Sequence, residues 1–163
     1  MRHLRLIAVP LAALSLVSCG LTEEQLQPTI TRAEAERKVL SYDLDVRRTL
    51  LGGSQTEASA RRLDSLECET ADIPGPKGRV ESSLDTQLVS HKPEGNKAVF
   101  DAFEQKVRAL GFTEKWRYPD AVMYTSSKDE FAIGLTESRD SSKTLTLSVS
   151  SPCVWPDGTA IKE

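Results

Sequence analysis

The segment from Thr144 to Ser150 alternates without a break. Leu145, Leu147 and Val149 fall on one side, and Thr144, Thr146, Ser148 and Ser150 on the other. Successive side chains of a strand point to opposite faces, so this run predicts a strand with one face in a core and the other in water. A sheet made of such strands needs covering on one side only, which directs the chain toward a layered architecture.

The residues before this run repeat the theme. Phe112–Tyr118, Ala121–Ser126 and Glu130–Glu137 read as strands, the last with Phe131, Ile133 and Leu135 alternating. Pro119-Asp120, Ser127-Lys128-Asp129 and Ser138–Ser142 supply turns, so the whole is an antiparallel meander. Arg79–Ser90 carries Val80, Ser82, Leu84, Thr86 and Leu88 on one parity and predicts a half-buried strand. Arg61–Glu69, with Leu63 and Leu66 ahead of Cys68, is a weaker strand pattern, and Asp72–Gly78, with Pro74 and Pro76, is a loop.

Two segments have the helical period instead. Thr31 with Glu34 three residues on is a capping box, in which side chain and backbone satisfy each other's orphan groups. Ala35, Val39, Tyr42, Val46 and Leu50 then recur at three- and four-residue steps until Gly52, predicting a helix over 31–51. Val99, Phe100, Phe103, Val107 and Leu110 predict a second helix over 96–110, stopped by Gly111. Two apolar helix faces and one apolar sheet face make an α+β, two-layer sandwich. The two helices pack on one face of an antiparallel sheet of four to five strands, and the opposite, Ser/Thr-rich face is solvated.

The amino terminus is of another kind. Arg2, His3 and Arg5 precede an apolar run, Leu6–Val17, that is shorter than the about 20 residues a membrane-spanning helix needs and is interrupted by Pro10. The run ends in Leu16-Val17-Ser18-Cys19, followed by Gly20. Over Met1–Gly20 this resembles the lipobox signal peptide of bacterial lipoprotein precursors. The resemblance implies that residues 1–18 are removed and that the Cys19 sulfur carries a diacylglyceryl group with palmitate-type chains. Residues 19–30 are then the lipidated N-terminus and tether, and 31–163 a single domain on the outer face of the plasma membrane. Two chains anchor stably where one is marginal. Of three cysteines, Cys68 and Cys153 then remain, and in an oxidising compartment the implied state is a disulfide between them.

Further along, the chain loosely resembles the small actinobacterial lipoproteins grouped as LppA-like. The shared features are an acid- and arginine-rich first helix, a cysteine after it, Leu110-Gly111-Phe112 closing the second helix, and a Ser/Thr strand running into Ser151-Pro152-Cys153-Val154-Trp155-Pro156. This likeness implies a two-cysteine α+β domain and transfers neither activity nor binding residues.

Charge and motifs narrow the function classes. The formal charge of −3 becomes −5 once Arg2 and Arg5 leave with the leader, which argues against nucleic acid as a partner and against a polybasic membrane-binding face. His91, the only histidine after the leader, has no second ligand or base at useful spacing. No Gly-x-Ser-x-Gly elbow occurs. Asp43 and Asp45 do not face one another on a helix and are expected on its solvated side. No metal, cofactor or catalytic role is expected. Trp116, Tyr118 and Tyr124 are the candidate binding surface: the first two share a strand face, and the third is placed across the hairpin from them. Trp155 is expected to cover the disulfide. The reading is a noncatalytic envelope interaction domain contacting the membrane through lipid on Cys19 and an envelope protein or glycan through its surface. A small-ligand, glycan or peptide binding module is the alternative, and a cell-wall hydrolase a third.

Overall fold

A computed structural model describes residues 27, 29–52, 61–69, 75–88 and 93–160. Residues 1–26, Cys19 among them, and Gly53 and His91 lie outside the described residues. The element order is α1 (Arg32–Leu50), β1 (Arg61–Glu67), β2 (Val80–Leu88), α2 (Asn96–Ala109), β3 (Phe112–Tyr118), β4 (Ala121–Ser126), β5 (Ala132–Glu137) and β6 (Leu145–Ser150). The strands form one antiparallel sheet in the order β1-β2-β6-β5-β4-β3. A short 3-10 turn, Pro93–Gly95, leads into α2, which carries the chain from β2, second from one edge, to β3 at the far edge.

Both helices lie on one face, α1 over β2 and β6 and α2 over β3 and β5. α1 starts where the capping box requires: the Thr31 hydroxyl accepts from the Glu34 amide, and the Glu34 carboxylate accepts from the Thr31 amide at 2.8 Å. Gly52, at φ +65°, follows the helix in the left-handed conformation that glycine enters without steric cost. The alternation of β6 appears as burial, with Leu145, Leu147 and Val149 all at 1% exposure or less. They pack with Val39 and Val46 of α1, Phe103 and Val107 of α2, and Leu84, Ile133 and Leu135 of neighbouring strands. Each such side chain gains about 1.5–3 kcal/mol from burial, which makes this layer the principal source of stability.

The sheet has six strands rather than four to five. The additional one is the edge strand β1. Its Leu63 and Leu66 stand three apart, fall on opposite faces, and are 41% and 63% exposed. It has no apolar period to announce it. Backbone pairing with β2, from Arg61 opposite Thr86 to Glu67 opposite Val80, holds it in place.

Cys68, just past β1, is bonded to Cys153, just past β6, with their Cα atoms 6.0 Å apart and a sequence separation of 85. The same two segments meet β2 through backbone bonds: Cys68 donates to the Arg79 carbonyl, and Val80 and Val154 exchange two bonds of 2.9 Å. Thr29 and Ile30, expected in the tether, join the domain. The Thr29 amide donates to the Gly158 carbonyl, the Trp155 amide donates to the Thr29 hydroxyl at 2.8 Å, and Ile30 packs against the core.

Candidate functional site

The strand pairings fix the composition of the face opposite the helices. One row across it reads Trp116, Met123, Gly134, Ser148, Asp85, Arg62. The next reads Tyr118, Ala121, Thr136, Thr146, Gln87, and a third reads Thr113, Thr125, Ala132, Ser150, Ser83, Asp64. From β3 through β6 these positions carry hydroxyl, small and aromatic side chains and one methionine, Met123, with no charge. Charges begin at β2, where Asp85 accepts a 2.6 Å bond from the Ser148 hydroxyl. Gly134 shapes the floor. A Cβ there would come within 3.0 Å of the Met123 methyl carbon, so the missing side chain lets Met123 lie across the strand.

Trp116 and Tyr118 stand together at one border of this face, ring centres 5.3 Å apart and planes inclined by 48°. Tyr118 is 62% exposed. It also borders a groove of about 340 Å³ between α2 and β3, lined in addition by Phe100, Glu104 and Arg117.

Tyr124 does not belong to this surface. It is wholly buried on the helix side, edge-on to Phe103 at 6.0 Å. The reason is a β-bulge. Glu114 pairs with Tyr124, but Trp116 pairs with Met123, so one extra residue enters β3 between them. That residue reverses the parity of the strand and sends Trp116 and Tyr118 to the face away from Tyr124. The Tyr124 hydroxyl accepts from Arg108 at 3.0 Å and donates to Glu104 at 3.2 Å. Burial first, and the Glu104 carboxylate second, push this phenol above its ordinary range. Arg117 bonds both Glu104 and Glu114, and Arg117 is the main reason the Glu114 carboxyl is held low. The cluster straps α2 to β3.

Asp43 also departs from expectation. It is fully buried, not on the solvated side of α1. It accepts from Arg47 at 2.9 Å and from the Thr86 hydroxyl at 2.7 Å, joining α1 to the middle of β2. Asp45, two residues on, keeps to the surface and pairs with Lys106 of α2. Asp43 sits four residues after Val39 and three before Val46, on the apolar stripe itself, with an arginine four residues on. That placement is the signal that would have found it.

A second groove, of about 400 Å³, lies at the other end of the sheet. It runs between Thr29-Ile30, the turn Ser127–Glu130, and Pro152–Val154. Asp129 there accepts from Lys38 and Tyr42. Burial, its largest single influence, raises this carboxyl, but bonds from Ser126, Lys38 and Tyr42 together outweigh it and hold the group below the ordinary range. Trp155, two residues after Cys153, is 2% exposed. Among the described residues there is no grouping of three metal-ligating side chains, and no helix is long and apolar enough to cross a membrane.

Neither a family, nor a curated protein, nor a solved structure matches the chain.

Proposed function

We propose that this is a lipid-tethered domain of the bacterial envelope, anchored through Cys19 to the outer face of the plasma membrane, that binds an envelope protein or glycan. The observation that carries the reading is the Cys68–Cys153 pair: it accounts for two of three cysteines and leaves Cys19, at the end of the apolar run, as the third. A disulfide suits an oxidising compartment, and a cysteine at a lipobox suits acylation.

The uncharged sheet face is the binding surface in this reading, with Trp116 and Tyr118 as its anchors. Aromatic rings flanked by hydroxyls suit the apolar faces and hydroxyl rims of sugar rings, and equally a peptide. Tyr118 pairs with Ala121, whereas the turn that meets Thr29 follows Ser126, so the aromatic pair lies toward the end of the sheet remote from Thr29. At about 3.4 Å per residue the two ends are about 17 Å apart. A partner would therefore be met on the side away from the bilayer. The groove beside Tyr118 favours a second reading, a small-ligand module with the same anchor.

The test is membrane fractionation with intact-mass analysis. The reading expects a mature chain that begins at Cys19, carries diacylglyceryl and pellets with membranes, and a Cys19→Ala variant that keeps its leader and is not acylated. A parent chain that retains Met1 and carries no lipid defeats it.

A further inference from the structure

Among the described residues, the side of β1 away from β2 has no neighbouring strand, and neither helix covers it. The Cys68 amide donates to the Arg79 carbonyl in the register that continues the β1–β2 ladder. In an antiparallel ladder the backbone groups of alternate residues turn to alternate neighbours. Those of Arg62, Asp64 and Leu66 therefore face β2, and those of Arg61, Leu63, Ser65 and Glu67 face outward, with no backbone partner among the described residues. Such an edge is a template for another strand. This one also presents Leu63 and Leu66, two of the four large apolar side chains exposed on the described surface.

We propose that the chain self-associates through β1. Two copies pair antiparallel about a two-fold axis at Leu63, so that Arg62 of each stands opposite Asp64 of the other. The charges select this register. Sliding the axis by one residue to Arg62 or to Asp64 sets like charges against each other on the axis. Placing it at Ser65 opposes Leu63 to Glu67. With the axis at Leu63 the outward backbone groups of Arg61, Leu63 and Ser65 meet their counterparts, and the two exposed leucines at position 63 cover one another. Arg62 and Asp64 then occupy the non-hydrogen-bonded sites, where facing Cα atoms are only about 4.5 Å apart and side-chain pairs are strongest. Within one chain these two side chains already lie 2.6 Å apart on the outer face, 82% and 37% exposed, so both are available to a partner. The product is one continuous sheet with the helices of both copies on the same side, held by a small contact of the weak, reversible class.

Sedimentation equilibrium of the full chain in density-matched detergent tests this. The expected result is a reversible monomer–dimer equilibrium. Arg62→Asp or Asp64→Arg alone weakens it about tenfold, because two symmetric pairs turn repulsive, and the double reversal returns it to within about threefold of the parent. A Leu63→Cys chain cross-links to itself under mild oxidation, whereas Thr146→Cys, on the sheet face of β6, does not. Because Arg62 is so exposed, its reversal leaves the fold intact. A chain that stays monomeric at about 1 mM, or a dimer that ignores the single reversals or is not rescued by the double one, overturns the proposal.

Discussion

Replacing both disulfide cysteines, Cys68→Ser with Cys153→Ser, removes a cross-link that spans 85 residues. The loop-closure entropy returned to the unfolded chain corresponds to about 4.5 kcal/mol at 25 °C. A domain of this size is stable by only about 5–15 kcal/mol, so the change takes a large part of the margin. The native geometry is independently secured beside the sulfurs by the Val80–Val154 bonds and by the Cys68 amide on Arg79. The folded state should therefore look the same, and the loss should show only in the unfolding equilibrium. In guanidinium, with a slope of roughly 3–4 kcal/mol/M, the midpoint should fall by about 1–1.5 M. Fluorescence of the buried Trp155 and far-ultraviolet dichroism follow the transition. Hydrogen exchange adds a local reading: β1, whose leucines are exposed, should lose protection before any other strand. A midpoint shift below about 0.3 M, or a parent that unfolds identically with and without reductant, would refute the reasoning.

Other perturbations follow from particular contacts. Thr86→Val deletes the hydroxyl that donates to buried Asp43 and should cost about 1.5–3 kcal/mol in urea unfolding; a loss under 0.5 kcal/mol would mean the bond contributes little. Gly111→Ala meets open space but must hold φ +88°, so its cost of about 1–2 kcal/mol is conformational, and a neutral result would contradict that. The Glu137 carboxyl is held low by the Asn96 amide and by Lys143, and Asp129 is held low as described. A depressed folded-state value means stability that is intact above the ordinary carboxylate range and is lost as pH falls through it. The urea midpoint should stay level from about pH 7 to 5 and drop below about pH 4, and a midpoint unchanged at pH 2 would count against it.

The sequence carried the fold where period and capping agreed. Thr31 with Glu34 marked the start of α1, and the leucines of β6 marked the buried side of the sheet, because in each case one local rule sufficed. β1 was hard to see because its stability comes from backbone pairing and a distant cysteine, neither of which has a periodic signature. The bulge in β3 was hidden for a related reason: Phe112–Tyr118 contains neither glycine nor proline to mark it, and the inserted residue is fixed by pairing with β4. One unseen residue was enough to divide Tyr124 from Trp116 and Tyr118. Asp43 is the opposite case: its place on the apolar stripe, with Arg47 four residues on, is legible in the sequence, and only its Thr86 partner on β2 is not.

The position of β6 between β2 and β5 has a consequence for biogenesis. Until residues 145–150 emerge, the chain owns only fragments: a two-stranded hairpin and a three-stranded meander, each with a raw inner border. α1 and α2 can each cover part of a fragment, but the two inner borders stay open, so the sheet becomes continuous only when residues 145–150 arrive. A ribosome that stops short of Leu145 therefore releases two sticky half-sheets in place of a smaller working protein.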